Sequence, residues 1–543
     1  MTPRARRAFF TVVLFFSVCA VVGSVLQRKV GAQSSADESQ LRDSLKSFTS
    51  VYALVEQNYA EPISGDKADT AIYDGAIPGM LRVLDPHSNF YDPKAYAKMR
   101  EDQHGRYYGV GMLIQQQNNK VYVVTPYENT PSFRAGIHPG DIINSVDGKM
   151  VSVDGKIPDG LASSDMVAKA LKGPKGTHVQ VTMVREGQDK PLVFDLVRDE
   201  IPHPSVDLSY EIRPGIGYIH LTQFQETTAQ EVIEAVDGFS GLRGLVLDLR
   251  NNPGGLLSQA VEVCDHLLSK GQNIVSQRGR AYPDQVYTAS HGNSGKTFPI
   301  VVLVNKGTAS AAEIVSGALQ DHDRALIVGE TTFGKGLVQT VYNLNENTGL
   351  ALTTYHYYTP SGRLIQRDYN GVSLYDYYNH ANALPADNTN KEVKLTDSGR
   401  TVYGGGGITP DEKIESPKSN NLMDTLMYRD IFFHFAPHYL INHTVTQDFK
   451  VDDAVLGEFK QFLTSQNITW TNEDINGSID WIRTNIRAKV LQIQLGHESD
   501  LRALADWDPM IQKALTYLPE AQALEDRAHK VLEEKAEARN PGN

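Results

Sequence analysis

The sequence predicts an α/β multidomain protein: an N-terminal helical segment, a small β-rich module, an α/β core with a mixed sheet, and a C-terminal helical extension. Three observations carry that reading. A strand-like apolar run, a glycine turn and a helix follow one another twice, at Leu242–Asp248 before Asn251-Asn252-Pro253-Gly254-Gly255, and at Pro299–Asn305 before Gly307-Thr308-Ala309. Neither run alternates, as expected of strands covered on both faces, and the repeated unit implies parallel strands with crossover helices. Short β-rich runs crowd residues 106–198. Apolar residues at helical spacing mark both ends of the chain.

A chain of 543 residues is too long for one core, and its texture changes divide it at 1–36, 37–104, 105–200, 201–415 and 416–543. The net charge of −13 and the absence of a basic stripe exclude a nucleic-acid surface. Two cysteines, Cys19 and Cys264, build no disulfide framework. Neither a CxxC nor an HExxH motif occurs, so no metal or other cofactor is expected.

Arg4, Arg6 and Arg7 precede the apolar run Phe9–Leu26, with a small-residue cleavage site at Val30-Gly31-Ala32. The segment reads as a signal peptide or a membrane anchor. Either fate exports the rest of the chain to the periplasm or cell envelope. Leu41, Leu45, Phe48, Val51, Tyr52 and Val55 then recur at helical spacing. Leu84-Asp85-Pro86-His87-Ser88 is a turn, and its His87 and Ser88 read as turn chemistry rather than catalysis.

The β-rich module has strand runs at Tyr108–Gln115, Lys120–Thr125, Ile142–Val146, Val179–Val184 and Leu192–Val197, and a helix at Ser164–Leu171. Its Gly109-Val110-Gly111 opens no helix, so it is not a dinucleotide site.

The chemistry concentrates in Thr308–Gln339. Ser310 stands where a tight turn enters the helix Ala311–Gln320, at the carboxyl end of a parallel strand, where active sites of such sheets lie. An oxyanion formed by its attack would meet the Ala311 N–H on one side and that of Gly254 or Gly255 on the other. A serine needs a base, and Lys335, in the glycine-rich turn Thr331–Gly336, serves if burial keeps it neutral. Gln339 orients the amine through its carbonyl oxygen without adding charge. Each residue also has an ordinary reading. Ser310-Ala-Ala-Glu313 is a capping box, Lys335 alone is a solvated lysine, and Asp248 is a structural acid in its turn. His322 keeps a Ser–His pair open, although Asp321-His322-Asp323 reads better as a solvated helix end. Gly292-Asn293-Ser294-Gly295 resembles the nucleophile stretch of trypsin-like proteases, but its polar surroundings mark an exposed loop. Beyond Lys335, a hairpin (Val338–Leu344, Leu350–Tyr357) and an irregular Tyr369–Asn390 loop complete the core. Helices come next at Met423–Phe435, Asp452–Gln466, Ile479–Leu495, Met510–Leu518 and Ala521–Lys535.

TASAAEI around Ser310, FGKGLVQ with Lys335 and Gln339, and DLRNNPGG at Asp248–Gly255 together resemble the carboxy-terminal processing, or tail-specific, protease family over about Asp37–Pro410. The resemblance implies a Ser–Lys serine peptidase with Ser310 as nucleophile, Lys335 as base and Gln339 as the lysine-orienting residue. Residues 106–198 resemble a PDZ domain, whose carboxylate-binding loop falls on Gly109-Val110-Gly111-Met112. That loop implies protein or peptide partners with free C-termini, bound by strand addition. The expected function is an envelope serine endopeptidase acting on such tails through an acyl-enzyme. The alternative is a non-catalytic, membrane-tethered PDZ scaffold. The helical extension docks an adaptor, builds a homo-oligomer, caps the site, or simply packs on the core.

Overall fold

The computed structural model describes residues 39–63, 65–117, 119–151, 164–379, 392–415 and 417–539. The run Phe9–Leu26 lies outside them. Among the described residues no helix is long and apolar enough to cross a membrane. The chain divides into two compact units, up to Val83 and from Leu84 onward. The first holds a helix over 39–58 and the short helices Asp66–Thr70 and Ile77–Arg82, joined by a π-helical turn at Ala71–Ala76.

In the second unit the β-rich module is a sheet ordered Met112–Gln117, Lys120–Pro126, Ile142–Val146, His178–Val184, Leu192–Val197, with Met112–Gln117 on the edge. Val121, Val123, Ile143, Val181 and Met183 point inward from alternate positions and pack against Val167 and Leu171 of the Ser164–Leu171 helix.

The core sheet has six strands, ordered Val206–Arg213, Ile216–Leu221, Gly244–Asp248, Ile300–Val304, Ala325–Gly329, Glu412–Lys413. The first pair is antiparallel and every later pair parallel, so the sheet is mixed as expected. All residues of GLVLD, IVVLV and ALIVG are buried, because both faces are covered. The helices Thr228–Gly238, Leu257–Leu267 and Ala311–Asp321 cover one face. The other is covered by Ala505, Ile511, Ala514, Leu518, Ala521 and Leu524. The last helices of the extension, His497–Trp507, Pro509–Thr516 and Leu518–Arg539, are thus a layer of the core. Arg250 bonds Asp508 at 2.9 Å, and Arg324 bonds Glu525 at 3.2 Å, across that layer. An antiparallel sheet of Asn89–Tyr91, Gly349–Tyr358, Asn273–Arg278 and Gln285–Thr288, with Leu337–Asn343 beside Gly349–Tyr358, stands over the core.

The middle of the extension is a helical cluster centred on Phe432, Phe435, Phe459, Ile482 and Ile486. The helix expected at Met423–Phe435 breaks at Asp430, which has φ 48°, into Asn421–Tyr428 and Ile431–Leu440. Asp430 accepts from Gln115 and Gln117 of the β-rich module, and Phe433 meets Tyr122 edge-on.

The solvated helix end is overturned, and the stretch read as an irregular loop holds a helix at Leu374–Asn379. Asp321, His322 and Asp323 are buried, at 2%, 8% and 0% exposure, rather than forming a solvated helix end. Their partners Arg363, Asp397 and Arg400 come from distant parts of the chain.

Candidate active site

Two strand–turn–helix units meet at the carboxyl ends of neighbouring parallel strands. Asn251 and Asn305, one from each turn, bind each other: the Asn251 N–H donates to Asn305 Oδ1 and the Asn305 amide to Asn251 Oδ1, both at 2.8 Å. The Ala309 N–H donates to the Asn252 carbonyl at 2.9 Å. This stitching brings Gly254 against Ser310 so closely that a Cβ on Gly254 would fall 2.7 Å from the Ser310 Cβ. Only glycine permits that approach.

Ser310 itself has φ 55° and ψ −115°, a backbone region that L residues rarely occupy. The surrounding bonds hold it there. Its N–H donates to Glu313 Oε2 at 2.9 Å, and its carbonyl accepts from the Tyr357 hydroxyl at 3.1 Å. The hydroxyl is thereby presented beside the N-terminus of the Ala311–Asp321 helix, as the turn predicts.

Glu313 does more than cap that helix. It is fully buried, and its two oxygens accept four donors: the N–H groups of Ser310, Gly334 and Lys335, at 2.9, 2.7 and 2.8 Å, and the Thr332 hydroxyl. One carboxylate therefore fixes the serine turn and the lysine turn relative to each other. Burial pushes its pKa upward while the four donors pull it down. The sequence signals Glu313 only as the last letter of a capping box. That the same carboxylate ties down a loop 19 to 22 residues later has no local signature.

Ser310, Ala311, Gly255, Lys335 and Gln339 line one cleft of about 390 Å³, and Leu256, Leu257, Ile314, Leu337, Val338 and Ala351 make its wall apolar. Lys335 is open to the cleft on one side and enclosed by protein elsewhere. That desolvation lowers its pKa, against the opposing charges of Glu313 and Asp85. Gln339 donates through Nε2 to Thr353 Oγ1 at 3.1 Å, which leaves its carbonyl oxygen as the free end of the amide. Gly254 is corrected as an oxyanion donor, because its N–H is already given to Asn252 Oδ1 at 2.9 Å. Gly255, at φ 142°, is the glycine of the pair that reaches the cleft. His322 lies away from the cleft, bound to Asp397 and to the Asn273 carbonyl. His87, read in the sequence as turn chemistry, does line the cleft. The Gly292–Gly295 stretch lies in a turn bound to Asp265, which accepts from the N–H groups of His291 and Gly292.

In the β-rich module, Val110 and Gly111 give their carbonyls to the Thr130–Ser132 turn: Val110 O accepts the Ser132 N–H and hydroxyl, and Gly111 O accepts the Thr130 hydroxyl and the Tyr127 N–H. In trans peptides the N–H groups of Gly111 and Met112 then point the other way, side by side. Gly111, at φ 79°, has to be glycine, since a Cβ there would lie 2.3 Å from that of Thr130.

Residues 215–373 match peptidase family S41, residues 109–196 a PDZ domain, and residues 422–476 the "Probable PDZ-protease, C-terminal helical domain". The carboxy-terminal-processing protease of Bartonella bacilliformis is 40% identical over 361 residues, covering 65% of this chain and 80% of that one. This chain belongs to the carboxy-terminal-processing protease family. A "Probable CtpA-like serine protease" of Staphylococcus saprophyticus is 27% identical and covers 88% of each chain. Among solved structures, the photosystem II D1 C-terminal processing protease is 30% identical, covering 68% of this chain and 86% of that one, with a TM-score of 0.34. The chain is a serine-type peptidase of family S41 that carries a PDZ domain.

Proposed function

We propose that this S41 peptidase cleaves with a Ser310–Lys335 dyad and selects its substrates by their C-terminal tails. The observation that carries the reading is the shared anchor of the two residues: Glu313 binds both backbones, and both side chains face one apolar cleft. The Ser310 oxygen attacks the scissile carbonyl carbon and passes its proton to the neutral Lys335 amine. The N–H groups of Ala311 and Gly255 hold the oxyanion. Collapse breaks the C–N bond, the leaving amine takes the proton back from Lys335, and water then hydrolyses the acyl-enzyme. Gln339 directs the amine through its carbonyl oxygen. The paired N–H groups of Gly111 and Met112 suit a terminal carboxylate, and the edge strand Met112–Gln117 suits strand addition by the tail that carries it. The arginines before Phe9–Leu26 support an exported enzyme whose substrates are envelope proteins.

The test is cleavage of an unstructured peptide with a free apolar C-terminus by the full chain, compared with Ser310→Ala and Lys335→Ala. Both variants are expected to fold, by circular dichroism, and to lose turnover. Equal turnover in all three would overturn the dyad. Undiminished turnover of the same peptide with an amidated C-terminus would overturn tail selection.

A further inference from the structure

The turn that the sequence marks as mere turn chemistry reaches the lysine by two routes. Asp85 folds the turn: its Oδ1 accepts the N–H groups of His87 and Ser88, and its Oδ2 the Ser88 hydroxyl, all at 2.7 Å. On the first route, Ser88 Oγ accepts the Thr353 N–H at 3.1 Å, and Thr353 Oγ1 accepts the Gln339 amide at 3.1 Å. Buried Ser88 thus sets the strand position that decides which way the Gln339 amide is turned. On the second, His87 Nε2 meets the Tyr377 hydroxyl at 2.9 Å, and that oxygen accepts from Gln366 Nε2 at 3.1 Å. Gln366 Oε1 in turn accepts the N–H of Gly336, the residue after Lys335, at 2.8 Å. The Tyr377 hydroxyl can donate to His87 Nε2 or accept from it while also accepting from Gln366, so this link forms with either imidazole tautomer. The imidazole is also held edge-on among Phe333, Tyr377 and Tyr378, with ring centroids 6.4, 5.5 and 6.1 Å away.

We propose that the Asp85–Ser88 turn is the positioning element of the Lys335 base: Ser88 fixes the Gln339 amide through Thr353, and His87 is the cleft wall that keeps water from the lysine amine. The proposal rests on the Ser–Lys reading. The ionisable groups that act on the amine or line the cleft with it are Glu313 from the Ala311–Asp321 helix, Asp85 and His87 from the turn, Tyr91 from the strand that follows, and Tyr357 from Gly349–Tyr358. Glu313 and Asp85 favour the charged lysine, so enclosure must outweigh them for Lys335 to act as a base. His87 suits a wall. Burial first, and the Lys335 charge second, take its pKa down to about 4, so it adds bulk without charge at neutral pH.

The experiment measures kcat and KM of the full chain against pH on the peptide substrate. The wild type is expected to show a limb of kcat/KM that rises with pH as Lys335 loses its proton. His87→Ala and His87→Asn admit water, and the limb should move up by about one pH unit. His87→Phe restores a dry wall and should bring the limb back. Ser88→Ala should lower kcat by about tenfold with KM unchanged, because the amine is misdirected rather than the substrate released. A limb that stays in place in His87→Ala and His87→Asn, with activity lowered evenly at every pH, would make the turn purely structural and sink the proposal. So would a Ser88→Ala enzyme with wild-type kcat. Either result, with Lys335→Ala still inactive, leaves the dyad standing. Turnover that survives Lys335→Ala sinks the dyad and this proposal together.

Discussion

The two ends of the Ala311–Asp321 helix are equally buried and do opposite things with charge. At its start, Glu313 is met only by uncharged donors, and the neighbouring cation, Lys335, makes no ion pair among the described residues. At its end every charge has an opposite: Asp321 with Arg363, His322 with Asp397 at 2.7 Å, Asp323 with Arg400 at 2.7 Å, and Arg324 with Glu525 at 3.2 Å. The titration behaviour differs in part: desolvation still lowers Arg363 and Arg324 against their carboxylates, whereas two other groups of the paired end are raised. Desolvation lowers Lys335, outweighing the charges of Glu313 and Asp85, neither of which pairs with the amine. His322 also feels desolvation, yet the Asp397 hydrogen bond and the Asn273 carbonyl carry it upward. Arg400 is likewise raised, by Asp411 and Asp323 against desolvation. Burial without an ion pair suits the base proposed for Lys335, and burial with one suits a strut.

The hardest way to break the contrast is to orphan a charge at the paired end. Arg363 is fully buried, so Arg363→Leu leaves Asp321 without its cation and is expected to cost about 3–5 kcal/mol of stability, read by denaturant unfolding. A loss below about 1 kcal/mol would show that the pair is no strut. The next largest effect comes from giving the reactive end a partner. Gln339→Glu places a carboxylate where the amide now stands, and an opposite charge that close raises a lysine pKa by roughly one to three units. The rising limb of kcat/KM should shift up accordingly, and turnover at pH 7 should fall by about a hundredfold for a shift of two units. An unmoved limb would mean that Gln339 does not face the amine.

How much of this the sequence discloses depends on the range of the interaction. GLVLD and IVVLV are legible as buried strands because their signal is local, and the glycine turns after them place Ser310 and Gly255 at one end of the sheet. Lys335 is legible through its glycine-rich turn and the family resemblance. Asp321, His322 and Asp323 mislead because a charged cluster is usually solvated, and nothing nearby announces the partners Arg363, Asp397 and Arg400. His87 and Ser88 do form the turn that their sequence implies. Their contacts with Tyr377 and Thr353 join residues far apart in the chain, so composition and periodicity carry no trace of them. The helices Thr228–Gly238 and His497–Trp507 are missed although Val232 and Val236, and Leu501 and Leu504, stand at helical spacing in them.

If the reactive end is unpaired, it should also be a cost to the fold. Lys335 with a lowered pKa binds its proton more weakly in the native state than in the unfolded chain. Between the lowered value and the ordinary lysine value of about 10.4, unfolding therefore takes up a proton, and stability should rise with pH. Lys335→Met should abolish turnover yet stabilise the enzyme by about 1–2 kcal/mol at neutral pH, and flatten that slope. A less stable Lys335→Met would mean that the ammonium has a partner in the native state and that the contrast between the ends is false.

The smallest effect tests the other end with the opposite sign. His322 has a raised pKa, so its pairing stabilises the fold fully below the ordinary histidine value near 6.5 and ceases to do so as pH rises through the folded value. His322→Gln keeps a polar side chain but cannot carry the charge. The gap in melting temperature between wild type and His322→Gln should be widest near pH 6 and should narrow toward pH 8. Above its lowered folded value the Lys335 contribution runs upward with pH, so the two ends of one helix push stability in opposite directions. A gap that stays constant would mean that His322 is neutral in the fold and donates to only one of its two acceptors, Asp397 or the Asn273 carbonyl. The paired end would then rest on its arginines alone.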